Sequence, residues 1–196
     1  MQSNQSSADQ PSADGDHVDR VRRQWAVAMP ELDTTPLAVI ARLGRLRTYL
    51  DQGLDALFGR YGLTRQSWDV LACLRRTGAP YLLTPTELAR AVMRTSGTIT
   101  HTLHGLEHAG LIQRVASDDD GRSLPVQLTP AGVELVETVA PLHLDNERDL
   151  LAALRPDQRS QLADLLRTLL ISLETQDQPD RHDSRQHRRS GRVSDR

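Results

Sequence analysis

At 196 residues and 21.8 kDa the chain has room for one sizeable core, or for a small domain with an added helical element, and two large domains are excluded. A net charge of −2 and a pI near 6.4 exclude a protein that coats nucleic acid through bulk positive charge, while leaving room for one that reads it through a local surface. No apolar run approaches the ~18 residues that span a bilayer, Met1 to Gly15 lack the basic-then-apolar order of a secretory leader, and Cys73 is the single cysteine. The expectation is a cytoplasmic protein without a membrane span, an internal disulfide or a cysteine-rich zinc site. All 24 basic residues are arginine, which fits two-point pairing with phosphate and equally fits the codon bias of a GC-rich genome.

Residues 1 to about 17 are rich in Ser, Gln and Asp and hold nothing to bury, so they read as a disordered tail. Leu43, Leu46, Leu50, Leu54, Leu57 and Tyr61 then recur at three- and four-residue steps and predict one long amphipathic helix over about 36–61, stopped by Gly62. Thr64 caps a second helix that reaches about Arg76, with Leu63 and Trp68 placed as a hydrophobic staple. In Leu83-Thr84-Pro85-Thr86-Glu87-Leu88 a Thr cap, a proline at the first helical position, a capping-box Glu and a Leu83/Leu88 staple coincide. The short helix opened there runs to about Val92. Thr95 or Ser96 caps the next one, which ends at Gly110, and together the two form a helix-turn-helix.

After Gly110 the period changes from helix to strand. Leu111, Ile112 and Val115 form one apolar run, Leu124, Val126 and Leu128 alternate with Pro125 and Gln127, and Asp118 to Ser123 make a polar turn between them. This predicts a two-stranded hairpin, a wing, with Pro125 on an edge strand. Thr129-Pro130 repeats the cap-plus-proline signal and opens a helix to about Asp149 that contains Pro141. Leu162, Leu165, Leu166, Leu169, Leu170 and Leu173 mark a final helix. From about residue 176 the chain is polar and carries six arginines, Arg181 to Arg196, as a mobile tail that either brushes DNA or only solvates the end.

The candidate reader is the helix from about 95 to 109. Ile99, Leu103 and Leu106 put its buried stripe on one side, so that Gly97, His101, His104 and His108 face the other, flanked by Thr98 and Thr100. Little bulk and several polar groups are what entry into a major groove needs, although any solvent-facing helix side is polar. Arg122 at the hairpin tip offers a flexible cation for a minor groove, and Gly121 permits the turn. From Gly62 to Leu128 seven arginines stand against six carboxylates. So weak a local charge also suits a winged helix that docks a protein instead of DNA. His101, His104 and His108 could approach one metal, but no fourth ligand is indicated, and Cys73 sits among Leu71 and Leu74 as a small buried hydrophobe rather than a redox switch. Nothing resembles a catalytic triad, a phosphate loop or a carboxylate pair.

Between about Leu63 and Leu135 stand Thr84-Pro85-Thr86-Glu87-Leu88-Ala89, Thr95-Ser96-Gly97-Thr98-Ile99-Thr100, Leu106-Glu107-His108-Ala109-Gly110-Leu111-Ile112-Gln113-Arg114, the wing Asp118 to Arg122, and Val126-Gln127-Leu128-Thr129-Pro130-Ala131-Gly132. In these blocks and their spacing the sequence resembles the MarR (multiple antibiotic resistance regulator) family. The resemblance implies a mainly α fold with a small β wing, a winged helix-turn-helix joined to a helical dimerisation domain. It also implies a non-enzymatic, ligand-responsive repressor that binds a pseudo-palindromic operator in double-stranded DNA as a homodimer. The division that follows is 1–17 tail, 18–61 dimerisation and ligand helices, 62–128 DNA-binding domain, 129–175 dimerisation helices and 176–196 tail. The implied DNA contacts are Thr86, Thr95, Ser96, Thr98, Thr100, His101 and Arg122. His101-Thr102 stand where the family often has Asn-Arg, and Gly121 where it often has a second charged wing residue.

Val21-Arg22-Arg23-Gln24-Trp25 is similar to the extra N-terminal helix of the family's branch that responds to urate and trans-aconitate. That likeness implies an effector, an aromatic or other carboxylate, held by Trp25, Asp69 and Arg114. The branch's further arginine falls at Thr102. Read without the resemblance, Trp25 packs on the long helix, Asp69 makes a local ion pair and Arg114 pairs with phosphate or with a neighbouring carboxylate.

Overall fold

A computed structural model describes residues 15–93, 96–116 and 124–176. In chain order the elements are α1 (His17–Ala28), α2 (Thr35–Gly59), α3 (Arg65–Arg76), β1 (Leu82–Leu83), α4 (Pro85–Ala91), α5 (Ser96–His108), β2 (Ile112–Arg114), β3 (Val126–Leu128), α6 (Pro130–Leu150) and α7 (Pro156–Gln176). The chain divides into two compact units, the first ending at Asn146 and the second starting at Glu147. No helix among the described residues is long and apolar enough to cross a membrane.

In the first unit the helix ends are set by local chemistry. Asp16 caps α1 in a capping box with Asp19, so Asp16 and His17 belong to the helix rather than to the preceding tail. At the end of α2 the Gly62 amide donates to the Gly59 carbonyl (3.2 Å) and Leu63 to Phe58 (3.0 Å), with Gly62 at φ +67°. This is a Schellman stop, which only glycine reaches without strain. Thr64 accepts from the Ser67 amide to open α3, and the expected Leu63 and Trp68 are both buried beside it. α6 passes through Pro141 without ending.

The core lies inside the winged half. Leu71, Leu74, Leu88 and Val126 are fully enclosed, joined by Ile99, Leu103, Leu106, Ile112 and Leu128. Burial of side chains of this size stabilises by about 1.5–3 kcal/mol each. Phe58 from α2 and Val136 and Val139 from α6 close the core from the long-helix side. There Phe58 stacks on Trp68 at 5.3 Å, and the His143 ring lies 5.2 Å from Phe58 and 5.5 Å from Trp68, so that α2, α3 and α6 meet at one aromatic cluster.

The sheet has three strands rather than the expected two, in the order β1-β3-β2 and all antiparallel. Leu82 and Leu83 pair with Gln127 and Val126, which makes β3 central. Pro125 lies just outside the strand, where its missing N–H costs nothing and its carbonyl accepts from the Val115 amide (2.9 Å). A two-residue strand has no room to show alternation, which is why the sequence pattern does not announce β1.

The second unit holds the end of α6, a tight turn through Leu154 and α7. α7 opens with Pro156 and with a Gln158 side chain that accepts from the Arg155 amide (2.9 Å). None of its residues is buried, and Leu165, Leu169 and Leu173 are exposed along one stripe.

Candidate nucleic-acid interface

α4 and α5 form the helix-turn-helix. The capping box read from the sequence is complete. The Glu87 amide donates to Thr84 Oγ1 (3.2 Å), and a Glu87 carboxylate oxygen accepts from the Thr84 amide and hydroxyl (both 2.8 Å). These donors hold the Glu87 carboxyl below the usual carboxylate range, the backbone N–H of Thr84 contributing most. Thr86 is exposed in the first turn of α4, and Met93 at φ +50° makes the break before α5.

α5 faces as its periodicity predicts. Ile99, Leu103 and Leu106 are buried, whereas Gly97, Thr98, Thr100, His101, His104 and His108 are exposed. Gly97 and Gly105 have open space where a Cβ would stand, so no internal contact requires either glycine. Each costs a helix about 0.5–1 kcal/mol relative to alanine, a cost that no packing contact at the glycine offsets. Thr102, half-buried, donates its hydroxyl to the Thr98 carbonyl (3.0 Å) and so turns it back onto the helix. Ser96 opens α5, but its side chain, like Thr95 and the wing-tip residue Arg122, lies outside the described residues.

Thr98, His101, Thr102 and Gly105 share an open recess of about 530 Å³ with Thr64, Gln66 and Ser67 at the start of α3. The sequence marks Thr64 as a cap and gives no signal that this polar turn flanks α5. In the wing, Ile112 faces Leu128 and Arg114 faces Val126 across the ladder, and the Gln113 side-chain amide donates to Gln127 (3.0 Å).

The three residues expected around a ligand stand on α1, α3 and β2. Trp25 is 42% exposed on α1. Arg114 is committed to Glu107 of α5 at 3.3 Å, its side chain 29% exposed. Asp69 on α3 also has an interaction partner. The recesses along α1 are lined instead by Arg20, Arg23, Gln24 and Val27, and by Asp19, Arg22, Ala26 and Thr34, and none of the three expected residues borders them. α1 itself is held by a device the sequence does not advertise. Arg42 of α2 donates to both carboxylate oxygens of Asp16 (2.7 and 3.1 Å), to Asp19 (2.7 Å) and to the Ala38 carbonyl (3.0 Å). Among the described residues no group of three or more His, Cys, Asp or Glu side chains is placed to hold a metal ion, and Cys73 is buried.

The MarR family model matches residues 63–124. The HTH-type transcriptional regulator PecS of Dickeya dadantii is 38% identical over 149 residues, covering 76% of this chain and 90% of PecS. The HTH-type transcriptional repressor Mb2911 of Mycobacterium bovis is 31% identical over 137 residues, covering 70% of this chain and 95% of its own. Among solved structures, the MarR family transcriptional regulator Sco3205 of Streptomyces coelicolor, in complex with DNA, matches with a TM-score of 0.66 at 26% identity, over 76% of this chain and 91% of that one.

Proposed function

The chain belongs to the MarR family of transcriptional regulators, which are not enzymes, and from that premise we propose that it is a homodimeric repressor of the cytoplasm that a small effector releases from a pseudo-palindromic operator. The observation that carries this is the outer face of α5, where Gly97, Thr98, Thr100 and His101 are exposed opposite a fully buried stripe. α5 enters the major groove, with Thr95 and Ser96 at its start, and Thr86 reaches a phosphate from α4. Arg122 reaches into the minor groove from the wing. α1, α2, α6 and α7 form the dimer, which sets the two readers about 34 Å apart on successive turns of the duplex.

A duplex selected by the protein from random-sequence DNA provides the test. His101→Ala and Arg122→Ala should each weaken its binding by roughly 1–3 kcal/mol, and Arg122→Ala should also make the salt dependence shallower by about one counterion. A protein that selects no sequence, or binds every duplex alike, would overturn the assignment.

For the effector we place a carboxylate at Arg114, stacked on the Trp25 indole and beside Asp69. The Arg114–Glu107 pair supports a route for the signal. Glu107 lies on the reader helix, so a ligand that takes Arg114 from it acts on α5 directly. Because effector and DNA then favour different arrangements, each weakens the other by the same factor. Salicylate and trans-aconitate should release the selected duplex from the wild type and fail to release it from Trp25→Ala and Arg114→Ala proteins that still bind DNA. Release that persists in both variants would put the effector elsewhere.

A further inference from the structure

The end of the reader helix and the start of α6 meet at Thr129. α5 ends in a Schellman turn in which the Gly110 amide donates to Glu107 (3.0 Å) and the Leu111 amide to Leu106 (3.0 Å), with Gly110 at φ +68°. The carbonyls of those same two residues, Gly110 and Leu111, point out of the turn, and Thr129 takes both. Its hydroxyl donates to the Gly110 carbonyl at 2.7 Å and its amide donates to the Leu111 carbonyl at 3.1 Å. The hydroxyl also accepts from the Gly132 amide (3.1 Å), and the Thr129 carbonyl accepts from the Val133 amide (2.9 Å), so Thr129 is at the same time the N-cap of α6.

The fit allows no slack. A Cβ on Gly132 would lie 2.1 Å from the Leu111 carbonyl oxygen, a backbone atom that cannot swing aside. The joint also closes the base of the wing, since Ile112 and Leu128, the next residues on either side, pair across the ladder.

We propose that Thr129 is a positioning residue for operator binding: its hydroxyl, bonded to the end of α5 and to the start of α6 together, fixes the orientation of the reader on the long helix behind it. The inference rests on α5 being the reader. Two readers must meet half-sites at one spacing, and a small change in angle at this joint is multiplied along the 13 residues of α5. An ordinary helix cap would affect stability alone. A joint of this kind also sets which spacing the protein prefers.

The test uses the full chain and the duplex it selects from random DNA, together with the same duplex carrying one base pair added or removed between the half-sites. Thr129→Val keeps the shape and removes both hydroxyl bonds, Thr129→Ser restores them, and Gly132→Ala forces the joint open with the hydroxyl in place. Thr129→Val and Gly132→Ala should lower the preference for the selected spacing by about tenfold while remaining folded and dimeric, and Thr129→Ser should recover it. A Thr129→Val protein with wild-type spacing preference, failure of serine to rescue, or a Thr129→Val protein that does not fold would each overturn the proposal. A wild-type protein that selects no duplex would overturn the assignment of the reader as well, which separates the two failures.

Discussion

The winged half and the helical arms of this chain treat the same kinds of side chain in opposite ways. α3 buries Trp68, Val70, Leu71, Cys73 and Leu74 within 12 residues, whereas α7 buries none of its 21. α2 is divided between the two behaviours, with Leu57 and Phe58 buried at its end and Val39, Ile40, Leu46 and Tyr49 exposed earlier along it. The difference separates what one copy of the chain can finish alone from what needs another. The winged half completes its core within one copy, closed by Phe58 of α2 and Val136 and Val139 of α6, whereas Leu165, Leu169, Leu170 and Leu173 of α7 stay exposed, as expected of a face that meets a partner.

The largest expected effects come from exchanging these roles. Leu71→Ala opens a cavity in an enclosed site and should cost about 2–5 kcal/mol. Because it leaves the dimer surface untouched, that loss should be the same at every protein concentration in urea denaturation. Leu169→Glu opens no enclosed site, since Leu169 is 45% exposed, yet it places a charge in the face we assign to the partner. It should convert the dimer to monomer in sedimentation at micromolar concentration, and its stability deficit against the wild type should shrink on dilution, as the wild type loses its partner too. A Leu169→Glu protein that stays dimeric with unchanged stability would break the comparison.

A smaller effect tests the boundary of the self-contained half. Thr84→Ala removes the hydroxyl that caps α4 and should destabilise by about 0.5–2 kcal/mol. Thermal unfolding should show the loss with no change in sedimentation. If Thr84→Ala also weakens the dimer, the winged half does not fold independently of the arms.

How much was legible follows the same division. Elements that carry their own punctuation were readable, as with Thr64, the Thr84-to-Glu87 box and the Thr129-Pro130 start, because a cap and its amide are only three residues apart. The outer face of α5 followed from its buried stripe alone. What escaped are contacts whose partners are distant in sequence. Arg42 meets Asp16 and Asp19 across 26 and 23 residues, β1 pairs across more than forty, and Thr129 was readable as a cap while its bond to Gly110, 19 residues back, was not. The likeness that pointed to Trp25, Asp69 and Arg114 could not reveal that Glu107 already holds Arg114.

The smallest predicted effect concerns α1, whose single buried residue is Val18 and which Arg42 ties to α2 through Asp16 and Asp19. Arg42 holds the Asp16 carboxyl down at about 2, against an ordinary value of 3.8, and holds Asp19 below its ordinary value as well. Both folded values are depressed, so the attachment is fully present above the ordinary carboxylate value and is lost as pH falls through the folded ones. Docking of α1 should therefore be constant from neutral pH to about 4 and fade between about 4 and 2, and the exposed ions should make it weaker in high salt. Trp25 fluorescence in a Trp68→Phe protein reports α1 directly, with far-UV circular dichroism following the rest of the fold. Arg42→Gln should loosen α1 already at neutral pH and move any remaining transition up towards the ordinary carboxylate range. An acid transition of Trp25 that keeps its midpoint in Arg42→Gln would mean that apolar contact, not the arginine, holds this helix, and α1 would then belong with the self-contained half.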